Sequence, residues 1–474
     1  MNDSKKLVKN TTIYALGDII PRLLGFISFP ILTRYLSPAD YGIVNYVNTL
    51  TTFLLTFGFL CMNTYYLVYF YRCDNEVEQK KLLGNLSSFV IGLNLALVFL
   101  LLLFGKYIFA LLNSNIDFYP YIVIAILTNF FNIFSVLPSA LYRLLEKPLL
   151  LTIINVSRGI VTLVITLVLV MYFDYTALGV LYAALIVNVV YAFVFLYTTR
   201  NYIIWNFNFP QIKKILIFSL PLVPGTLAYY VTTISDRILI DKYLNLNDLG
   251  IYSTAATLAL ILNIFSYGAY KAFEPFIFKN WGNEGFLKTF ENIRNGFVYI
   301  LLIGVLCLSI FSKEFYLIMT NVKFHSAYWF VPMIIIGVYS SSLSMLYGTI
   351  ITAKEKTKVN SLISIIGAAI SIVLNVLFLP RFGLITAALV SSLAMTIMLL
   401  LSIWYSQLKI SHLRPLLGTI IVGISIYLFV YVININHIVI SILIKSVVAI
   451  SIIVILSIIL SVNPFKMIKE LNKK

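Results

Sequence analysis

The chain has 474 residues, of which 61% are apolar and 11% charged, and it carries a net charge of +16. A soluble chain of this length would hold about a quarter charged residues, whereas here the charges collect between long uncharged runs. Such runs satisfy their backbone in hydrocarbon as helices; the alternating polarity of a membrane barrel is absent, and the basic residues sit in short loops rather than on a nucleic-acid-binding face.

Taking charges, Pro and Gly as punctuation, the sequence predicts about fourteen spans, each near the ~20 residues a bilayer requires. In chain order they fall near 10–33, 42–70, 82–105, 118–138, 149–172, 176–199 and 214–240. The rest fall near 249–270, 294–311, 326–350, 359–379, 382–405, 415–433 and 438–462. The first run has a basic start (Lys5, Lys6, Lys9) but carries Asp18 and Arg22, lacks an A-x-A cleavage site and leads straight into further spans, so it reads as a retained helix. The longest connection is expected around 271–293.

Of the 34 Lys and Arg, twenty-four fall on the side of the termini, six on the other and four within spans. This asymmetry places both termini in the cytoplasm.

Self-comparison finds an internal repeat. Arg34-Tyr35-Leu36 and Asp40-Tyr41-Gly42-Ile43 return as Lys242-Tyr243-Leu244 and Asp248-Leu249-Gly250-Ile251, 208 residues later. Gly179 to Leu185 matches Gly383 to Leu389 at an offset of 204. Between these, Leu141-Tyr142 and Glu146-Lys147 are similar to Leu346-Tyr347 and Glu355-Lys356. The repeat unit holds six spans, an even number, so the two halves share one orientation. The expected plan is a six-helix lobe over 1–205, a second over 206–410, and two additional helices in 411–474.

The repeat directs attention to helices 1 and 7. Helix 1 contains Gly17, Pro21, Gly25 and Pro30; helix 7 contains Pro221, Pro224 and Gly225. Proline removes a backbone donor and crowds the preceding turn, so both helices are expected to bend there, making these the hinge candidates. Broken helices at matching positions point to a transporter's binding site, although Pro and Gly are also common in membrane helices without such a role.

The same helices hold most of the charges within spans. Asp18 and Arg22 lie four residues apart on one helix face, where they can pair. Asp236 and Arg237 lie towards the outer end of helix 7. A charge in hydrocarbon costs a few kcal/mol, so it should face a polar cavity or a partner. Arg22, Arg158 and Arg237 are the substrate-binding candidates, because guanidinium forks match phosphate oxygens; the alternative for Arg158 and Arg237 is that they snorkel to the lipid headgroups. Asp18 and Asp236 are the ion-coupling candidates. Lys445 is expected to snorkel outwards, and Tyr65, Tyr66, Tyr69 and Tyr71 to form an interfacial belt.

The stretch from Asn10 to Gly42, with Gly17, Arg22, Phe29-Pro30 and the element Leu32-Thr33-Arg34-Tyr35-Leu36-Ser37-Pro38-Ala39-Asp40-Tyr41-Gly42, resembles the Wzx-type polysaccharide flippases. These belong to the multidrug/oligosaccharidyl-lipid/polysaccharide exporter (MOP) superfamily. Leu141-Tyr142-Arg143 with Glu146-Lys147, and Gly179 with Ala183-Ala184, are similar to further elements of that family. The resemblance implies a MATE-like fold, two six-helix lobes around a central cationic cavity. It also implies flipping of undecaprenyl-pyrophosphate-linked oligosaccharide repeat units, driven by an ion gradient. The partners it implies are the lipid-linked oligosaccharide, membrane lipids and other polysaccharide-assembly proteins.

Two rival readings remain. A multidrug cation antiporter of the same fold should show more acidic than basic groups in its spans, but here two Asp stand against three Arg and a Lys. A polysaccharide polymerase or ligase needs a large external loop for its catalytic groups, and none is long enough. Cys61, Cys73 and Cys307 form no CxxC and the three histidines are scattered, so no metal or cofactor is expected. GxxxxGK(S/T) does not occur, which argues against an ATP-driven pump within this chain.

Overall fold

A computed structural model describes residues 3–462 apart from 113, 434 and 436; the side chains of residues 3–12, 15, 18, 112, 233, 272 and 275 lie outside what it describes, Asp18 among them. The described chain is all-α. It packs as two compact units, Met1–Gly250 and Ile251–Lys474. Among the described residues, twelve helices are long and apolar enough to cross a membrane, or thirteen if one bent pair is a single span. The 33-residue first helix accompanies them. The protein is therefore a multi-pass membrane protein.

In the first unit the helices are α1 (Asp3–Tyr35), α2 (Pro38–Phe59), α3 (Met62–Tyr69), α4 (Glu76–Leu112), α5 (Val123–Leu144), α6 (Pro148–Met171), α7 (Ala177–Thr199), α8 (Phe209–Ser219) and α9 (Val223–Tyr243). Helix α10 (Leu246–Asn280) starts at the end of this unit and continues into the second. The second unit continues with α11 (Phe286–Ile310), α12 (Ser312–Met319), α13 (Val331–Ala353), α14 (Thr357–Phe382), α15 (Leu384–Ser406), α16 (Leu413–Ile426) and α17 (Ile438–Ile459).

The repeated motif is a pair of helix starts. Ser37 caps α2: its hydroxyl oxygen accepts from the Asp40 N–H at 3.1 Å, while Asp40 Oδ2 accepts from the Ser37 N–H at 3.1 Å. This is a capping box, which satisfies two backbone donors that a helix N-terminus leaves unpaired. Asn245 caps α10 in a related way, its Oδ1 accepting from the Asp248 N–H at 2.9 Å, while its own Nδ2 donates to Asp248 Oδ2 at 2.7 Å, a side-chain bond in place of the second backbone one. The two starts then pack on each other through glycine. A Cβ on Gly42 would meet the Leu246 carbonyl at 2.7 Å, and one on Gly250 would run into the Pro38 carbonyl.

Helix 1 runs through Pro21 and Pro30 as one α-helix, without the interruption expected there. Nearby hydroxyls supply local bonds: Ser28 donates to the Gly25 carbonyl at 2.7 Å and Thr33 to the Pro30 carbonyl at 3.0 Å. Helix 7 carries a 3-10 turn at Leu220–Leu222, around Pro221 and between α8 and α9, and Phe209–Thr232 runs through it as one helical stretch. An unexpected break falls in span 2, where α2 and the following helical stretch meet at 54°. Leu60 and Cys61 there have φ of 46° and 59°, the left-handed region that ends a helix. The buried Asn94 of α4 donates to the Gly58 carbonyl at 2.9 Å beside this break.

Three further expectations are corrected. The connection predicted over 271–293 is mostly helix, because α10 runs on to Asn280 and α11 begins at Phe286. At 1.5 Å per residue the 35-residue α10 is about 50 Å long, against a hydrocarbon core of about 30 Å, so its charged end continues as helix beyond the membrane. Tyr65 and Tyr66 are packed in the core with Phe70, Leu83 and Leu137 rather than lying in a belt, and Tyr71 is exposed. Lys445 does not snorkel. It is 2% exposed on α17 and bonds both carboxylate oxygens of Glu314 on α12, at 2.7 and 2.9 Å.

The contact between α13 and α15 in the second unit is built from small residues. Helix α13 packs on α15 with Gly337 against Ser392, Ser340 hydrogen-bonded to Thr396 at 2.9 Å, and Ser344 to Ser402 at 2.8 Å. Without a hydrophobic force between helices in lipid, such close approach and interhelical bonds hold a bundle together.

Candidate functional site

Helices α1 and α6 lie side by side in the first unit because glycine lets their backbones approach. A Cβ on Gly17 would meet Thr152 Oγ1 at 2.6 Å, and one on Gly159 would meet Pro21 Cα at 3.2 Å. Thr152 also donates to the Ile13 carbonyl at 2.8 Å, a bond that ties the two helices together.

Along this seam is a cavity of about 500 Å³. Gly17, Pro21, Arg22, Gly25 and Ser28 of α1 line one side; Asn155, Arg158, Gly159, Thr162 and Thr166 of α6 line the other. Two guanidinium groups reach it, and its described lining contains no carboxylate. Apart from the Asn155 carboxamide, the rest of the lining is apolar or hydroxyl-bearing, a setting in which a positive charge acts strongly on a bound anion.

Arg158 is held from two directions. Its Nη2 donates to Asn132 Oδ1 of α5 at 3.1 Å and to Asn188 Oδ1 of α7. Beside it Tyr191 of α7 donates to Ser157 Oγ at 2.8 Å, and Thr162 donates to the Arg158 carbonyl at 2.8 Å. Burial of the guanidinium is therefore compensated by neutral acceptors, as a charge inside a membrane protein requires.

The structure brings together Arg22, Arg158, Gly17, Pro21 and Gly25 of the predicted set, and Asn155 with them. Asp18 lies outside the described side chains, and the remaining candidates do not line the cavity. Pro30 lies further along α1, while Pro221, Pro224 and Gly225 lie at the α8–α9 turn. Arg237 and Asp236 are neighbours on α9, with Nη1 and Oδ1 3.5 Å apart. Among the described residues, no group of three His, Cys, Asp or Glu is placed to hold a metal. Asn132 and Asn188 were not legible as site residues, since their role depends on α5 and α7 flanking α6.

These features define the class: an all-α, multi-pass membrane protein with a MATE-like fold and, inside its first unit, a cavity lined by Arg22 and Arg158. A family model described as polysaccharide biosynthesis protein matches residues 7–281, more than half of the chain. The chain belongs to that polysaccharide biosynthesis family, and its standing as a Wzx-type member of the MOP superfamily agrees with the motif at Asn10 to Gly42. Among relatives, the capsular polysaccharide biosynthesis protein CapF of Staphylococcus aureus is 23% identical, over 83% of this chain and 98% of its own length. A Shigella flexneri protein provisionally named an O-antigen transporter is 24% identical over 84% of this chain and 97% of its own. Among solved structures, the lipid II flippase MurJ in an inward closed conformation superposes with a TM-score of 0.76 at 16% identity, covering 94% of this chain and 99% of that one. An inward-facing multidrug resistance MATE family transporter of the MOP superfamily gives 0.65 at 12% identity, covering 85% and 95%.

Proposed function

We propose that the protein is a flippase that moves undecaprenyl-pyrophosphate-linked oligosaccharide repeat units from the inner to the outer leaflet of a bacterial cytoplasmic membrane. The observation that carries this reading is the pairing of Arg22 and Arg158 on one cavity whose described lining has no carboxylate. A pyrophosphate headgroup is a compact, multiply charged anion whose oxygens match guanidinium donors. Ser28, Asn155, Thr162 and Thr166 in the neutral remainder offer hydrogen bonds to the sugar side of such a substrate. Membership of a polysaccharide biosynthesis family, and relatives named for capsule and O-antigen work, support the same substrate class.

In this reading the cavity opens first to one face of the membrane and then to the other. Gly17, Pro21, Gly25 and Pro30 in α1, and Pro221, Pro224 and Gly225 at the α8–α9 turn, are the hinge positions. Asp18 and Asp236 couple the cycle to an ion gradient, and Arg237 is a third cationic contact. The two lobes are the sequence repeats 1–205 and 206–410, with 411–474 adding the last two helices. Both termini are cytoplasmic, as the distribution of Lys and Arg supports. No catalytic residue is assigned; the role is transport, alongside the membrane proteins that assemble the polymer.

The second reading is an ion-coupled multidrug antiporter, favoured by the fold shared with MATE transporters. The cationic cavity disfavours it for cationic drugs. Reconstitution into liposomes carrying a fluorescent polyprenyl-pyrophosphate oligosaccharide separates the two. The flippase reading expects transbilayer movement of the lipid that Arg158→Ala slows by at least about tenfold. Movement of a cationic dye with no movement of the lipid would overturn it.

A further inference from the structure

Arg158 is gripped by two carboxamides from two different helices, and the chemistry of that grip matters. A carboxylate in either place would hold the guanidinium equally well but would cancel its charge. A carboxamide oxygen fixes the group through its dipole and leaves the full positive charge in the cavity. The amide at 188 is itself oriented: its Nδ2 donates to the Ala184 carbonyl at 2.7 Å, which turns Oδ1 towards Arg158. Asn132 Oδ1 accepts from Ser135 Oγ at 3.2 Å as well as from Arg158 at 3.1 Å. Both acceptors take Nη2, so the described bonds leave the N–H groups of Nη1 and Nε outside the clamp. Fixed dipoles that aim a charge before a ligand arrives spare the ligand the cost of ordering it.

We propose that Asn132 and Asn188 are positioning residues that hold Arg158 as an uncompensated cation for the pyrophosphate of a polyprenyl-linked substrate. This rests on the reading of Arg158 as a headgroup contact. It makes a further demand on that reading: the neutrality of residues 132 and 188, and not only their size, sets affinity for the anion.

The test compares the full-length protein in nanodiscs with Asn188→Asp, Asn188→Ala and Arg158→Ala. Binding is measured to two probes, undecaprenyl pyrophosphate and the uncharged alcohol undecaprenol. Asn188→Asp is nearly isosteric and adds one negative charge beside Arg158. It should weaken pyrophosphate binding by at least about tenfold, and by more than Asn188→Ala does, while leaving undecaprenol binding unchanged. A merely structural role would lower binding of both probes and would make Ala at least as harmful as Asp. That pattern, or wild-type pyrophosphate affinity in Asn188→Asp when Arg158→Ala has lost it, overturns the proposal and leaves the headgroup reading intact. Wild-type protein that ignores the pyrophosphate, or Arg158→Ala that binds it normally, overturns the headgroup reading itself. Should Asn188→Asp fail to purify as a single species, Asn132→Asp measures the same quantity from the other helix.

Discussion

Lys445 Nζ lies 2.7 and 2.9 Å from the two carboxylate oxygens of Glu314, and Ser441 donates to the same carboxylate. Both charged residues are almost fully buried, and they join α17, the last described helix, to the short α12. A buried ion pair adds little net stability over a well-packed apolar pair, but removing one partner strands a charge in a low-dielectric interior. Lys445→Ala or Glu314→Ala should therefore cost about 3–5 kcal/mol, while Lys445→Met combined with Glu314→Leu recovers most of the loss. Thermal unfolding of the purified protein in detergent checks this. Equal losses in the single and double variants would remove the pair from the account.

The two capping motifs meet where Gly250 faces the Pro38 carbonyl. A methyl group at Gly250 has backbone, not a flexible side chain, in its way. Gly250→Ala should cost at least about 1–3 kcal/mol through forced displacement. Gly25→Ala is the control, because nothing lies within 4 Å of where its methyl group would sit and Ala favours a helix. Comparison of their melting temperatures reads the difference. A Gly250→Ala protein as stable as wild type would contradict the close packing of α2 and α10.

A pH response is expected from the connection before α16. His412 Nδ1 lies 3.3 Å from the Tyr347 hydroxyl and 3.5 Å from Arg294 Nη1. Burial, and then the Arg294 charge, lower the pKa of His412 below its usual 6.5, with Glu291 opposing them. The native state therefore holds the ring neutral while the unfolded chain protonates it more readily. This contribution to stability is intact above about pH 6.5 and is lost as pH falls through the lowered native value. His412→Gln should flatten the stability profile below pH 6.5 in chemical or thermal unfolding. An unchanged acid slope in the variant would assign the sensitivity elsewhere.

Much of the fold was legible because hydrocarbon imposes length and apolarity on each span separately. The pause between α16 and α17 is a case where local sequence sufficed. The charged segment from Lys271 to Lys279 misled, since charges mark the edge of hydrocarbon but do not end a helix. Tyr65 and Tyr66 misled in the opposite direction: their buried packing is set by α4 and α5, which no local pattern in span 2 reveals. At the site, Arg22 and Arg158 stood out because a charge within a span is costly. Asn132 and Asn188 did not, since carboxamides are common in spans and acquire a role only from the side chain they face. Glu314 and Lys445, 131 residues apart, are the same case for an ion pair.

The central claim is that Arg22 and Arg158 serve an anionic lipid-linked substrate, and genetic complementation tests it most directly. Arg22→Ala and Arg158→Ala are expressed in a strain lacking its repeat-unit flippase, with membrane accumulation followed by immunoblot and surface polysaccharide quantified. The wild-type chain should restore polymer, and each variant should accumulate normally yet restore less than about a tenth of it. Normal surface polysaccharide from either variant would contradict the account.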